Sequence, residues 1–574
     1  MPPMAAPPAT GTVRLDGIRA REWAGVAGVV LFGVGVPLAV AVWTGAFAIP
    51  RNDDWAYSRM ALHLAATGEL DLIGWNVLSL VGHLLWAQPW LVLFGRSLQV
   101  LHVSTAVASG LGLVATFLVA RRFLPPGGAM LVVVVVAVAP AYAVESTSFM
   151  TDPTAFAAQM GCLAAGIAAL DRRGRHRAAW LALSMALGLA GFTIREVAAA
   201  APVGVLAGVA AAVGREDRPW GRMAAGRWAG VAGLVAAVAI ACAAFYWWRI
   251  NLPGHQVGIG GITPWRAARQ AVRGWCTLAL IVSPALLLRR GDAARHGGAL
   301  LAAALVALAA AAVAVRDAGI DADAVLLSGN ALTRRGSMGS IVLLGDKPPI
   351  LPAGVWTVLV LWACAAGAGL ARRAAASAAI TRPVAWLRTA EPPAVALAVF
   401  GLLAVGIVPV YSLVGGGLFD RYLWAGAVPV AIGLLRAARP PAADPRRITA
   451  WAALSALALL SLAVTVEEYA YAAARWSAGR AAVAAGFDPR EVDAGFEWSG
   501  YHHRGLVGDP SVTARVAEPR PFYMPLFGGS SNCVTVASSP QTAPALELLG
   551  ERRYRPFPSA DERSLWVYRN AGAC

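Results

Sequence analysis

The chain has 574 residues, 58% hydrophobic and 14% charged, with a formal net charge of +16. A soluble domain carries about a quarter charged residues. Here apolar runs long enough to cross a bilayer recur from end to end, which excludes a soluble protein, and their lack of alternation excludes a transmembrane barrel. The positive charge sits in short arginine-rich loops between the runs, the pattern of cytoplasmic membrane anchors, so nucleic acid is not an expected partner.

Residues 1–23 are Pro/Ala-rich with Arg14, Arg19 and Arg21 and form a cytoplasmic N-terminal segment. The apolar stretch 24–49 is longer than the roughly 7–15 residues of a signal-peptide core. It reads as the first span, although Ala46-Phe47-Ala48 would pass as a cleavage site. Further spans are expected at 97–120, 127–144, 153–170, 178–193, 196–213, 228–248, 271–288, 298–315, 353–371, 393–413, 422–436 and 449–466. The fold class is therefore an all-α polytopic membrane protein with about 13 transmembrane helices, its membrane domain covering 24–466.

With the N-terminus in the cytoplasm, every inner loop is rich in arginine: Arg121-Arg122, Arg172 to Arg177, Arg215 to Arg227, Arg289-Arg290, Arg372 to Arg388 and Arg436 to Arg447. The extracytoplasmic face then carries the first outer loop, 50–96, the segment Glu145 to Pro153, the turn at Thr193-Ile194-Arg195-Glu196 and the segment Gly415 to Tyr422. It also carries loops 249–270 and 316–352 and the C-terminal domain, 467–574. In that domain Cys533-Val534-Thr535-Val536 and Ser564 to Tyr568 read as strands, and Ala543 to Leu549 as a helix turn stopped by Gly550, so a small α/β domain is expected.

Cys162, Cys242, Cys276 and Cys364 fall in spans and read as small packing residues. No Cys/His cluster of zinc or iron–sulfur spacing is present. Cys533 and Cys574 pair only if the tail lies in an oxidising compartment, which the sequence leaves open.

The acids and arginines of the outer face carry the chemistry. Asp53-Asp54 opens a surface helix that Asn52 caps and Gly68 stops. Two acids in a first turn complement the helix dipole, and that alone would account for them. As neighbouring carboxylates they also suit a general base or oxygen ligands for Mg²⁺ or Mn²⁺, and the residues do not allot these roles. Asp152 before Pro153 is an ordinary helix opening, yet it shares a face with Asp53 and Glu145. Arg195 lies between two apolar runs beside Glu196, where it serves either an ion pair or a phosphate. Arg421, between Asp420 and Tyr422, is either a snorkelling arginine or a second phosphate ligand.

At these residues the chain resembles the GT-C superfamily of integral-membrane glycosyltransferases, in the branch of the protein O-mannosyltransferases and the aminoarabinose transferase of lipid A. Asp53-Asp54-Trp55-Ala56-Tyr57 with Gly68 resembles that branch's first-loop signature, with Asp54 where Glu is common. Gln88 to Ser97 resembles the re-entrant stretch, Phe149-Met150-Thr151-Asp152-Pro153 the second-loop motif, and Asp420-Arg421-Tyr422-Leu423 the late Arg-Tyr motif. The tail, including Asp493-Ala494-Gly495-Phe496-Glu497-Trp498, is given no assignment by the resemblance.

The resemblance implies transfer of a hexose or pentose from a polyprenyl-phosphate sugar donor to a hydroxyl of a glycan, lipid or protein acceptor at the extracytoplasmic face, with inversion. Asp53 or Asp54 would be the base, and Arg195 and Arg421 would bind the donor phosphate. Tyr57, Glu145, Asp152 and Tyr422 are further site candidates, with Asp54 and Asp152 as ligands of a divalent ion if one is used. A multi-pass transporter or lipid flippase is the alternative, but it is expected to carry ionisable or helix-breaking residues at mid-span, and the spans are nearly uncharged at their centres.

Overall fold

The computed structural model describes residues 18–75, 79–216, 222–252, 263–288, 304–309, 326–327, 333–335, 343–413, 418–437, 446–503, 505, 507, 514–555 and 561–574. The protein is mostly helical with a small C-terminal sheet. Among the described residues eight helices are long and apolar enough to cross a membrane, and shorter apolar helices lie at Val81–Phe94, Pro126–Ala137 and Pro392–Gly406. The expected thirteen spans are not reproduced as such. Most of 298–315, the arginines Arg289, Arg290 and Arg439, and loop positions 253–262 and 415–417 lie outside the described residues.

Three departures from the expected spans shape the site. The run 127–144 is not one helix: Pro126–Ala137 stops before Pro140, and a six-residue helix, Pro140–Glu145, follows. A residue preceding proline is pushed into extended backbone, as Ala139 is here at ψ 124°, and the break delivers Glu145 to the interior. The helix Trp424–Arg436 has only 13 residues, about 20 Å of rise against the roughly 30 Å of a hydrocarbon core. Its approach is a 3₁₀ turn, Asp420–Leu423, whose Asp420 and Arg421 are buried. The last helix runs Arg446–Ala484, 39 residues, well past the expected end at 466, and carries Glu467, Glu468 and Arg475 toward the tail.

The surface helix is present as Asp54–Thr67 and ends at Gly68, but its N-cap is Asp53 rather than Asn52, which takes a left-handed φ of 59°. The tail forms a four-stranded sheet in the order β1-β2-β4-β3, with β1 Val492–Asp493, β2 Val534–Ala537, β3 Leu546–Tyr554 and β4 Arg563–Asn570. β1 runs parallel to β2, and the other pairs are antiparallel. The helix turn expected at 543–549 is instead the start of β3. Pairing with β4 along its length, with a register shift at Leu548/Gly550, overrides the local helical pattern. Cys533 and Cys574 form a disulfide.

Two hydrophobic clusters hold the chain together. One runs through the helical bundle. The other joins the segment 55–91 and Phe149 to the tail through Trp55, Tyr57, Leu84, Phe149, Phe496, Tyr523 and Phe527. The tail helix Phe496–His502 lies directly on the surface helix: a Cβ at Gly500 would sit 2.5 Å from the Trp55 ring, so only glycine permits the approach. Arg59 Nη1 donates to the Gly500 carbonyl at 2.8 Å.

Candidate active site

Arg421 is the centre of the site. It is 5% exposed and faces three carboxylates: Asp152 at 3.3 Å, Glu145 at 3.5 Å and Asp53 at 3.6 Å. Its guanidinium lies over the rings of Phe419 and Tyr422, at 4.5 and 5.4 Å. Nε and Nη1 make these ion-pair approaches without a hydrogen bond of good geometry. Burial disfavours the guanidinium charge, but the three acids outweigh it and hold Arg421 more firmly cationic than usual.

Arg195 joins from the turn that follows Gly174–Ile194. It donates to Asp152 at 2.6 Å and to Thr151 Oγ1 at 3.1 Å, and lies over the Tyr422 ring at 4.5 Å. Its neighbour Glu196 accepts from Ser79 Oγ at 3.0 Å. Asp152, Arg195, Glu196, Arg421 and Tyr422, with Gln159, line a cavity of about 560 Å³ whose other walls are apolar residues such as Phe156, Val203, Leu402 and Leu403. Asp53 is not on that wall and meets the cluster through Arg421. A larger cavity, about 720 Å³, lies between Leu98–Arg121, Thr151–Leu170 and Gly174–Ile194 and includes none of these charged site residues.

The two acids of the pair are placed differently. Asp53 keeps a side chain 20% exposed, and Trp75 Nε1 donates to its Oδ1 at 2.9 Å. Burial raises its pKa above the usual aspartate value, against the opposing pull of Arg421 and Trp75. Asp54 is fully buried and saturated. His102 Nε2 approaches at 2.6 Å, Ser148 Oγ at 3.3 Å and the Arg51 N–H at 3.4 Å, and Ser58 Oγ also donates to it. Burial alone would raise the Asp54 pKa, but His102, Ser58 and Arg51 bring it below the usual value. That is a poor arrangement for a proton acceptor. Tyr57 is buried with its ring edge-on to His83 at 6.3 Å, and burial and the Asp53 charge push its hydroxyl well up.

The expected divalent-ion ligands do not converge. Asp54 is taken up by His102 and hydroxyl donors and Asp152 by two guanidinium groups. No cluster of three His, Cys, Asp or Glu side chains among the described residues has ligating geometry. Asp54 and Asp152 therefore present no shared set of free oxygen ligands of the kind Mg²⁺ or Mn²⁺ takes.

Asp53, Glu145, Asp152, Arg195, Arg421 and Tyr422 lie in contact with one another around Arg421, and four residues not marked in the sequence touch this region. His102 lay in an expected span, where an ionisable residue is itself a signal. Arg51 stacks on Tyr469 at 4.2 Å and donates to the Thr147 carbonyl. Trp75 and Glu497 carried no sequence signal beyond the tail motif that contains Glu497.

No family model matches the chain, and no curated protein matches it. Among solved structures it is similar to ArnT from Cupriavidus metallidurans bound to undecaprenyl phosphate, at 15% identity and a TM-score of 0.38, covering 96% of this chain and 98% of that one. It is similar also to ArnT from the same organism in the apo state, at 17% identity and a TM-score of 0.37, covering 96% and 99%.

Proposed function

We propose that this chain is a membrane glycosyltransferase that moves a sugar from a polyprenyl-phosphate donor to a hydroxyl acceptor at the extracytoplasmic face, with inversion. The observation that carries the reading is the placement of Arg421 and Arg195 on the lining of a largely apolar cavity, with the Asp53 carboxylate 3.6 Å from Arg421. A hydrocarbon chain with a phosphate head matches such a cavity, and undecaprenyl phosphate, held by one ArnT structure, is a lipid of this kind.

In this mechanism Asp53 takes the proton of the acceptor hydroxyl. The oxygen attacks the anomeric carbon from the face opposite the phosphate, the carbon–oxygen bond to phosphate breaks, and the bonding pair leaves with polyprenyl phosphate. The proton ends on Asp53. Arg421 and Arg195 offer guanidinium N–H groups to the phosphate as its charge grows. Three acids surround two arginines here, so the phosphate must exchange with a carboxylate on Arg421. The Asp53 contact, at 3.6 Å the longest of the three, is the one given up, which frees Asp53 to act as base.

The sidedness rests on the arginine-rich loops opposite the site, and the disulfide agrees with an oxidising compartment for the tail. The test is to incubate purified protein with a panel of labelled polyprenyl-phosphate sugars and follow release of the lipid phosphate. Release by the wild type that is lost in Arg421→Gln supports the assignment. Release undiminished in that variant overturns it.

A further inference from the structure

We infer that Glu497, on the tail helix, is a positioning residue that sets the Asp53 carboxylate for reaction; the inference rests on the transferase reading. It assigns a role to the one tail motif that the membrane-domain chemistry leaves unused.

The contact runs between residues 445 positions apart. Glu497 is fully buried, and its Oε1 accepts the backbone N–H of Asn52 at 3.2 Å. Asn52 takes φ 59°, a left-handed turn that asparagine tolerates better than other side-chain-bearing residues, and the Glu497 acceptor fixes its N–H in that turn. Its Nδ2 donates to Glu145 Oε1 at 3.3 Å, so tail and second loop grip the same residue. The next residue is Asp53, whose direction follows from that turn. Glu497 is itself fixed by a bidentate pair with Arg475 on the last helix, at 2.6 and 3.0 Å.

The neighbouring Phe496 acts on Asp53 from the other side. Its ring packs on Trp75 at 6.1 Å, and Trp75 donates to Asp53 Oδ1. Residues 496 and 497 therefore set both the backbone leading into Asp53 and the donor that orients its carboxylate. Upstream, β1 ends at Asp493, which accepts from the Gly495 N–H at 3.2 Å and the Tyr523 hydroxyl at 2.8 Å, so the motif is anchored to the edge of the sheet.

Removing Glu497 alone strands Arg475 in the interior, so the experiment uses two paired variants of the full chain. Arg475→Met with Glu497→Leu replaces the ion pair by apolar groups of similar volume, an exchange that interiors tolerate. Arg475→Gln with Glu497→Gln keeps an acceptor for the Asn52 N–H. In the Met/Leu variant, amide exchange over residues 50–56 rises at least about tenfold while β2 and β4 keep their protection. Turnover falls on the order of 10²-fold with donor KM unchanged, the signature of a misplaced catalytic group rather than lost binding. The Gln/Gln variant restores both readouts toward wild type. Unchanged exchange over 50–56, or equal losses in the two variants, overturns the role of Glu497. If the wild type turns over none of the donors, the transferase reading fails by itself, and the exchange measurement still decides whether Glu497 holds the turn.

Discussion

Asp53 and Asp54 are adjacent in sequence, yet their amide variants should fail in opposite ways. Asp53→Asn keeps an oxygen for the Trp75 indole and leaves Arg421 paired with Glu145 and Asp152. The lost contact is the longest of the three ion-pair approaches to Arg421, at 3.6 Å. As the general base, however, Asp53 contributes roughly 10²–10⁴ in rate, about 2.7–5.4 kcal/mol of barrier. Asp54→Asn removes a fully buried charge that accepts from Ser58, Ser148 and the Arg51 N–H and lies 2.6 Å from His102 Nε2, and sets an amide NH₂ among donors. Charge-assisted bonds are worth about 1.5–3 kcal/mol each, so losing even two destabilises by about 3 kcal/mol or more. Thermal unfolding in detergent and single-turnover donor cleavage, measured on both variants, separate the two effects. A folded Asp53→Asn that cleaves donor within about threefold of wild type lies far outside the general-base range and refutes the reasoning.

Burial raises the Asp53 pKa and Arg421 opposes it, so kcat/KM falls as pH drops through a value above the usual aspartate range, since only the carboxylate accepts a proton. Trp75→Phe removes the indole donor that also holds this pKa down and moves the acid limb to higher pH, and a pH–rate profile whose limb stays put argues against the coupling. In the tail, burial lifts Asp493 from 3.8 to about 6, although Tyr523 and Gly495 pull the other way. The folded state then binds this proton more tightly than the unfolded one, so about 3 kcal/mol of tail stability is present below pH 4 and is lost as pH rises to 6. Comparing pH-dependent unfolding with Asp493→Asn isolates it, and identical pH dependence in the two proteins rejects it. The Cys533–Cys574 bridge closes a loop with a sequence separation of 41, worth about 4 kcal/mol in the chain-entropy account. Replacing both cysteines by serine should lower the tail's denaturant midpoint accordingly, and an unchanged midpoint counts against the estimate.

Much of the membrane domain is legible in the chain because apolar runs and arginine loops are local signals, each decided by transfer of side chains between water and hydrocarbon. Leu98–Arg121, Thr151–Leu170, Gly174–Ile194 and Ala353–Ala375 fall close to their expected places. The charged residues of the site are likewise marked by standing at the ends of apolar runs, and Asp53, Asp152, Arg195 and Arg421 do converge.

Local pattern does not reach the partners of those residues. The division of Asp53 from Asp54 depends on His102 lying 48 positions away and on Trp75 leaning on a tail ring. The Ala543–Leu549 stretch becomes strand only because β4 offers a ladder. Burial and charge pairing are sums over neighbours brought from distant parts of the chain. Residue type and spacing therefore identify which groups gather at the ends of the apolar runs, whereas their ionisation, orientation and division of labour arise only when the packed fold removes water and sets each one against its partner.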